Sequence, residues 1–352
     1  MHTRTIWFFA ALALAACSDE SMATRTTTDF GPPTQSTSMD PITAPPTPST
    51  VMDMPAAPAM DSATGDADGV MDMPPTPVDM PMAGSDAAPM TPPEEQPPAG
   101  PLQPIIPPID GDCPDFTSGT KTVNGLSGIS FEVGTKVEGP PTGPLVFYWH
   151  GTGSTASEGR RFPGTDEIVS KGGVFVAFSR STGSGGDCSG TGTFSHDDFK
   201  IADQIVACAV RDHNIDPRQI YATGCSAGGL FSGCMAIERS SYLAATVPNS
   251  GGITIGYGAI QDPTRVPAVM TMHGGGSDVV IVRFEETSKA YDSHMLKLGS
   301  PMVINCDHGG GHCAAPGALY DSGWEFMKAH TFGALPSPCG GGLPAGFHSS
   351  WE

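Results

Sequence analysis

The chain has 352 residues, with 37 acidic side chains against 17 basic ones and a formal net charge of −20. Most of that charge is local: between Ser18 and Asp112 fifteen acidic residues face one basic residue, Arg25. With no basic face elsewhere, the composition argues against a nucleic-acid partner and says more about a self-repelling segment than about a substrate.

Residues 1–16 begin with His2 and Arg4 and continue as an apolar run from Ile6 to Ala16. That run is too short to remain as a membrane-spanning helix and reads as a secretory signal peptide. Leu14-Ala15-Ala16-Cys17 resembles the lipobox of bacterial lipoproteins, which implies a lipid-modified Cys17. Ser18 after it resembles the lipoproteins sent to the outer membrane. Several acyl chains together hold a protein at a bilayer, so the expected anchor is a lipid in a membrane.

From residue 17 to 112 the chain consists largely of Pro, Thr, Ser, Ala, Met and Asp, with scraps such as Met52-Asp53-Met54-Pro55 recurring at Met71-Asp72-Met73-Pro74. No apolar period of 2 or 3.6 survives, and the prolines remove backbone donors. The expectation is a disordered, extended stalk, up to about 300 Å long if it is polyproline II throughout. Isolated Met and Asp in a solvated linker make poor metal ligands.

Residues 113–352 suit one domain with a sizeable core. Strand-like runs recur at 129–133, 144–149, 174–178, 219–223, 244–247, 267–272 and 301–304, with helical candidates at 157–171, 196–213, 227–239, 284–298 and 320–330. Alternation of this kind predicts an α/β domain whose mostly parallel sheet carries helices on both faces. Ligands of such sheets sit beyond the carboxyl ends of the strands.

At one of those ends lies Gly224-Cys225-Ser226-Ala227-Gly228, a strand that breaks at a glycine, presents a serine and restarts as a helix. Small residues two before and two after the apex let strand and helix approach, and the arrangement resembles the nucleophile elbow of α/β-hydrolases. Ser226 is the candidate nucleophile, a hydroxyl that needs a neighbouring base. His312, after Gly309-Gly310-Gly311, is the candidate base, with His308 in the same loop and His330 farther on as alternatives. Asp278, after the strand at 267–272 and its glycine loop, is the candidate that orients the imidazole. The same Gly-Ser-Asp also reads as a helix N-cap ahead of Val279, while Asp262 and Asp292 fall in a loop and a helix. Negative charge developing on a carbonyl oxygen needs two backbone donors, assigned to Ala227 and to Thr152 in His150-Gly151-Thr152-Gly153, with Gly151 close behind. This chemistry needs no cofactor and no metal.

With Cys17 lipidated, eight cysteines remain, and an exported chain favours disulfides. Cys225 precedes the nucleophile and Cys313 follows the base, so a Ser226–His312 hydrogen bond would bring their sulfurs together. Spacing leaves the pairing of Cys113, Cys188, Cys208, Cys234, Cys306 and Cys339 open. The dense run from Cys306 to Cys313 also reads as a zinc site, but its glycines do not present two imidazoles on one helix face.

The set Cys225-Ser226, Asp278 and His312-Cys313 resembles the CS-D-HC motif of tannases and feruloyl esterases, which implies a disulfide tying nucleophile to base. From Pro144 to His330 the chain resembles the polyhydroxybutyrate depolymerase and feruloyl or acetylxylan esterase group, through His150-Gly151, Gly224 to Gly229, His273-Gly274 and Gly309 to His312. The resemblance implies an α/β-hydrolase fold and a surface-tethered or secreted serine esterase acting on bulky or polymeric esters. Two departures bear on the substrate. About eighteen residues separate Asn249 from Pro267, which implies no large lid domain, and Gly186-Asp187-Cys188-Ser189 lacks the tryptophans of the depolymerases.

Overall fold

A computed structural model describes residues 102–254, 258–314, 317–334 and 337. The expected signal peptide, Cys17, the stalk up to residue 101, and Cys339 lie outside the described residues.

Composition draws the start of the domain at Cys113, and the structure moves it earlier. The Ile105 amide donates to the Ser241 carbonyl (2.8 Å), the Asp110 amide donates to Gln204 Oε1 (2.6 Å), and Ile106 packs against the core. Prolines prevent a regular ladder here, but an extended chain can still satisfy its remaining amides one by one.

Ten strands lie among the described residues: β1 (Gly119–Val123), β2 (Leu126–Val133), β3 (Gly143–Trp149), β4 (Val174–Phe178), β5 (Ile215–Cys225), β6 (Ala245–Asn249), β7 (Ala268–His273), β8 (Val279–Val280), β9 (Val282–Arg283) and β10 (Val303–Asp307). Eight form one sheet in the order β1-β2-β4-β3-β5-β6-β7-β10, antiparallel between β1 and β2 and between β2 and β4, and parallel elsewhere. β8 and β9 make a separate hairpin. The helices are α1 (Thr165–Ser170), α2 (His196–Asp212), α3 (Ala227–Glu238), α4 (Phe284–Leu298) and α5 (Gly317–Ala329).

The central strands are buried from end to end, as strands covered on both faces must be. Alternate residues of β3 feed two cores: Leu145, Phe147 and Trp149 join Phe199 of α2 and Phe231 of α3, whereas Val146 and Tyr148 join Ile168 of α1 and Trp324 and Phe326 of α5. α2 starts at a capping box in which Ser195 and Asp198 satisfy each other's amides. The single helix expected over 157–171 is instead a 3₁₀ turn, Ala156–Arg161, followed by the short α1. Pro163 between them has no amide to donate, which prevents a continuous helix. None of the helices among the described residues is long and apolar enough to cross a membrane.

Register decides where chemistry can gather. Trp149 pairs with Gly224, Cys225 with Asn249, Asn249 with Met272, and His273 with Asp307, so the carboxyl ends of five parallel strands lie level. The loops leaving them start at 150, 226, 250, 274 and 308, and these carry almost every candidate residue.

Candidate active site

Ser226 sits between β5 and α3 with φ of 57° and ψ of −120°, a conformation that an L-residue adopts at a cost of about 1–3 kcal/mol. The turn is possible because a side chain at Gly228 would place its Cβ 1.8 Å from the Trp149 carbonyl oxygen, and one at Gly224 would lie 2.3 Å from the same atom. The Ser226 amide donates to the Asn249 carbonyl (3.0 Å), which fastens the apex to the next strand. At the end of the neighbouring strand β3 the buried Trp149 ring lies 4.3 Å from Phe178 and 4.8 Å from Phe231, an aromatic cluster within the core.

Asp278 is fully buried, and its Oδ1 accepts from His312 Nδ1–H at 2.7 Å. Its Oδ2 accepts from the Ser250 hydroxyl (2.7 Å) and the Gly274 amide (3.0 Å). Burial pushes the carboxyl up, but the hydrogen bonds from His312, Gly274 and Ser250 more than offset this and hold it below its ordinary value. The N-cap reading of Asp278 does not hold, since β8 follows it and the helix begins only at Phe284. The acid and base loops touch through backbone: a Cβ on Gly274 would lie 2.5 Å from the Gly311 carbonyl oxygen.

Ser250 has no sequence motif to announce it. Its fully buried hydroxyl donates to Asp278 and accepts from the Cys313 amide (2.9 Å), so one side chain joins the acid to the loop that carries the base. Its φ of 43° is a second non-glycine outlier at the sheet edge. Cys313 is also disulfide-bonded to Cys225, with Cα atoms 5.8 Å apart. The other bridges among the described residues are Cys113–Cys208 and Cys188–Cys234, and among the same residues Cys306 is a buried thiol outside any bridge, pushed up by burial to about 12.

Ser226 and His312 line one cleft of about 540 Å³ with Gly151, Thr152, Ala227 and Leu230. No hydrogen bond joins Ser226 to His312 in this structure. Such bonds are often loose before substrate docks and tighten in the complex. Ala227 is the first residue of α3, so its amide has no acceptor within the helix. The Gly151 amide donates to Glu158 Oε1 (3.1 Å), which also accepts from the Tyr148 hydroxyl (3.0 Å). The Thr152 amide has no protein acceptor among the described residues, whereas that of Gly151 is engaged. A Cβ on Gly151 would lie 3.4 Å from Ser226 Cβ, so this loop rests on Ser226.

The alternatives weighed from sequence are engaged elsewhere. His330 is buried between the Phe326 carbonyl and the Ser337 hydroxyl, His308 Nδ1 accepts from the Gly310 amide, and Asp262 pairs with Arg265. Asp292 accepts from Thr271 and Asn305 (2.7 and 2.6 Å), and burial, only partly offset by those bonds, pushes it up to about 7. For zinc at the His312 loop, Cys313 and the adjacent Cys225 offer a disulfide in place of thiolates, and His312 Nδ1 is committed to Asp278.

The link between Cys225 and Cys313 gives a first expected result. The double variant Cys225→Ala/Cys313→Ala should lose about 2–4 kcal/mol of stability. Its kcat on an ester should fall by about 10²-fold, the effect of an ångström-scale displacement of the base. Urea titration and kinetics below the unfolding midpoint separate the two. Undiminished kcat in the folded double variant would remove any positioning role for the bridge.

No family model matches the sequence. Over 145 residues the chain is 27% identical to the bifunctional acetylxylan esterase/xylanase XynS20E of Neocallimastix patriciarum, which covers 40% of this chain and 20% of that protein. The chain thus spans about a fifth of the length of the curated relative it matches. Among solved structures, native pOPH superposes with a TM-score of 0.52 at 16% identity, over 68% of this chain and 96% of that one. Native sOPH gives 0.52 at 16% identity over 70% and 96%. Identity this low speaks to architecture alone, and with the sheet order, the crossover helices and the elbow at Ser226 it establishes that the chain adopts the α/β-hydrolase fold.

Proposed function

We propose that the protein is a serine carboxylesterase acting through an acyl-enzyme on bulky or polymeric esters. The observation that carries this reading is the 2.7 Å bond from partly exposed His312 to buried Asp278, with His312 lining the same cleft as Ser226, Thr152 and Ala227. In the first step Ser226 Oγ attacks the ester carbonyl while His312 Nε2 takes its proton. The oxyanion lies against the amides of Thr152 and Ala227, and Asp278 stabilises the imidazolium without taking its proton. His312 then gives the proton to the departing alcohol. Water, deprotonated by the same nitrogen, attacks the acyl-serine, and His312 returns that proton to Ser226 Oγ as its bond to the acyl carbon breaks, releasing the acid.

The short connection between β6 and β7 leaves the cleft without a large lid, which favours substrates that are long or fixed to a solid, such as feruloylated or acetylated polysaccharide or a hydroxyalkanoate polyester. XynS20E is itself named an acetylxylan esterase. Export to an oxidising compartment is supported by the disulfides, and tethering by a lipid on Cys17 with a stalk as spacer completes the proposal.

The alternative is a non-catalytic binding protein on a hydrolase scaffold, in which the same three side chains gather without turnover. A fluorophosphonate probe tells them apart: the esterase reading expects labelling of folded wild type that disappears in Ser226→Ala. Turnover of methyl ferulate, acetylated xylan and polyhydroxybutyrate then sorts the substrates. Labelling absent from folded wild type would sink the esterase reading, and faster cleavage of peptide amides than of 4-nitrophenyl esters would make the enzyme a peptidase.

A further inference from the structure

Directly after the acid, the run Val279-Val280-Ile281-Val282 forms the β8–β9 hairpin, in which Val280 pairs with Val282 and Ile281 alone makes the turn. Ile281 is fully solvent-exposed at 103%, and Val279 and Val280 are about half exposed. Three of the five large apolar side chains exposed among the described residues are therefore consecutive. Ile281 also has a φ of 64°, in the left-handed region that β-branched residues avoid and that glycine or asparagine occupies readily.

Two costs thus coincide at one residue: backbone strain, and apolar surface left in water. Neither is explained by folding, since glycine at the turn would relieve both. The hairpin is not a loose loop. The Phe284 amide donates to the Asp278 carbonyl (3.0 Å) and closes its base, while the buried Phe284 ring lies 4.7 Å from the His312 ring. Val280, Ile281 and Val282 line the cleft that holds Ser226 and His312, with Leu230 and Phe284 continuing the apolar wall inward. Strain of this kind persists where surrounding structure enforces it, and it concentrates at binding and catalytic sites.

We propose that Val280, Ile281 and Val282 form the binding surface for an apolar chain of the ester, carried on its acyl or its alkoxy side. The substrate class is thereby narrowed to esters with a nonpolar chain beside the scissile bond, in preference to an acetyl group on a bare sugar. This rests on the ester-hydrolase reading of Ser226, Asp278 and His312. What covers the exposed tip is the substrate, because the patch is continuous with the cleft that would hold the reacting ester.

The test measures kcat/KM on purified full-length protein in two arms, 4-nitrophenyl acetate against octanoate, and methyl against octyl acetate. Wild type should prefer the longer chain in at least one arm. Ile281→Asn and Ile281→Gly should lower that preference by about five- to tenfold, the effect of losing one apolar side-chain contact. Their melting temperatures should match or exceed wild type, because both residues accept the left-handed turn. Leu296→Asn, at an exposed leucine outside the cleft, should leave the ratio unchanged. A ratio unmoved by both Ile281 variants overturns the proposal while leaving the esterase reading standing. So does a variant that loses stability and both activities in parallel, or one that converts a dimer to a monomer at constant ratio, since a second copy would then be the occupant. Wild type that cleaves no ester in either arm defeats the reading of the triad and this proposal with it.

Discussion

Ser226→Ala should reduce kcat on 4-nitrophenyl acetate by about 10⁴- to 10⁶-fold, the range found when the nucleophile of a serine hydrolase triad is removed. Binding of a non-hydrolysable ester analogue should persist, because the cleft wall of Leu230 and Phe284 and the amides of Thr152 and Ala227 do not depend on the hydroxyl. Ser226→Gly is the more searching variant. It removes the same nucleophile but also relieves the positive φ at the apex, so it should melt above Ser226→Ala by an amount corresponding to about 1 kcal/mol. Calorimetry on both variants, beside initial rates, would show whether strain and reactivity reside in the same residue. Retention of more than a hundredth of wild-type kcat in either variant would mean that another group attacks the ester.

Asp278→Asn should cost about 10⁴-fold in kcat for a reason visible in the hydrogen bonds. The carboxylate accepts from three donors: His312 Nδ1–H, the Ser250 hydroxyl and the Gly274 amide. An amide whose oxygen serves Ser250 and Gly274 must turn its NH₂ toward His312 Nδ1. The imidazole would then carry its proton on Nε2, the nitrogen that has to accept from Ser226. The pH dependence of stability should change as well. Because the folded carboxyl lies below its ordinary value, its contribution is fully present above the unfolded value of about 3.9 and is lost as pH falls through the folded one. Wild type should therefore lose stability relative to Asp278→Asn in that acid window. Parallel acid-unfolding curves for the two proteins would show that Asp278 does not carry the linkage.

The parts of the molecule legible in the sequence are those whose requirement is local. Gly224 and Gly228 are demanded by atoms within a few residues of the elbow or on the neighbouring strand, and buried parallel strands are short β-branched and aromatic runs wherever they occur. Residues 102–112 were hidden by their prolines, which signal a linker although the chain docks. The helix over 157–171 was overextended because its apolar spacing continues through Pro163. Val279 to Val282 has the β-branched richness of a strand, yet so close to the acid it reads as loop or helix start. Ser250 was invisible for a stronger reason: its partners Asp278 and Cys313 are 28 and 63 residues away, and an isolated serine acquires meaning only when β6, β7 and β10 end at one level. That the Gly151 amide is already engaged likewise depends on Glu158, whose carboxylate reaches it from the 3₁₀ turn.

The end of β6 carries a consequence for how this scaffold can diversify. Asn249 holds the amide of the apex, Ser250 holds the acid and the base loop, and the Gly252 backbone passes so close to α4 that a Cβ there would lie 2.3 Å from the Thr287 carbonyl oxygen. Those three residues pin the stretch 249–252 on three sides, so even one residue inserted there should displace the site. Modules that enlarge or re-specify the mouth of the enzyme would therefore have to enter beyond Gly252, clear of these anchors.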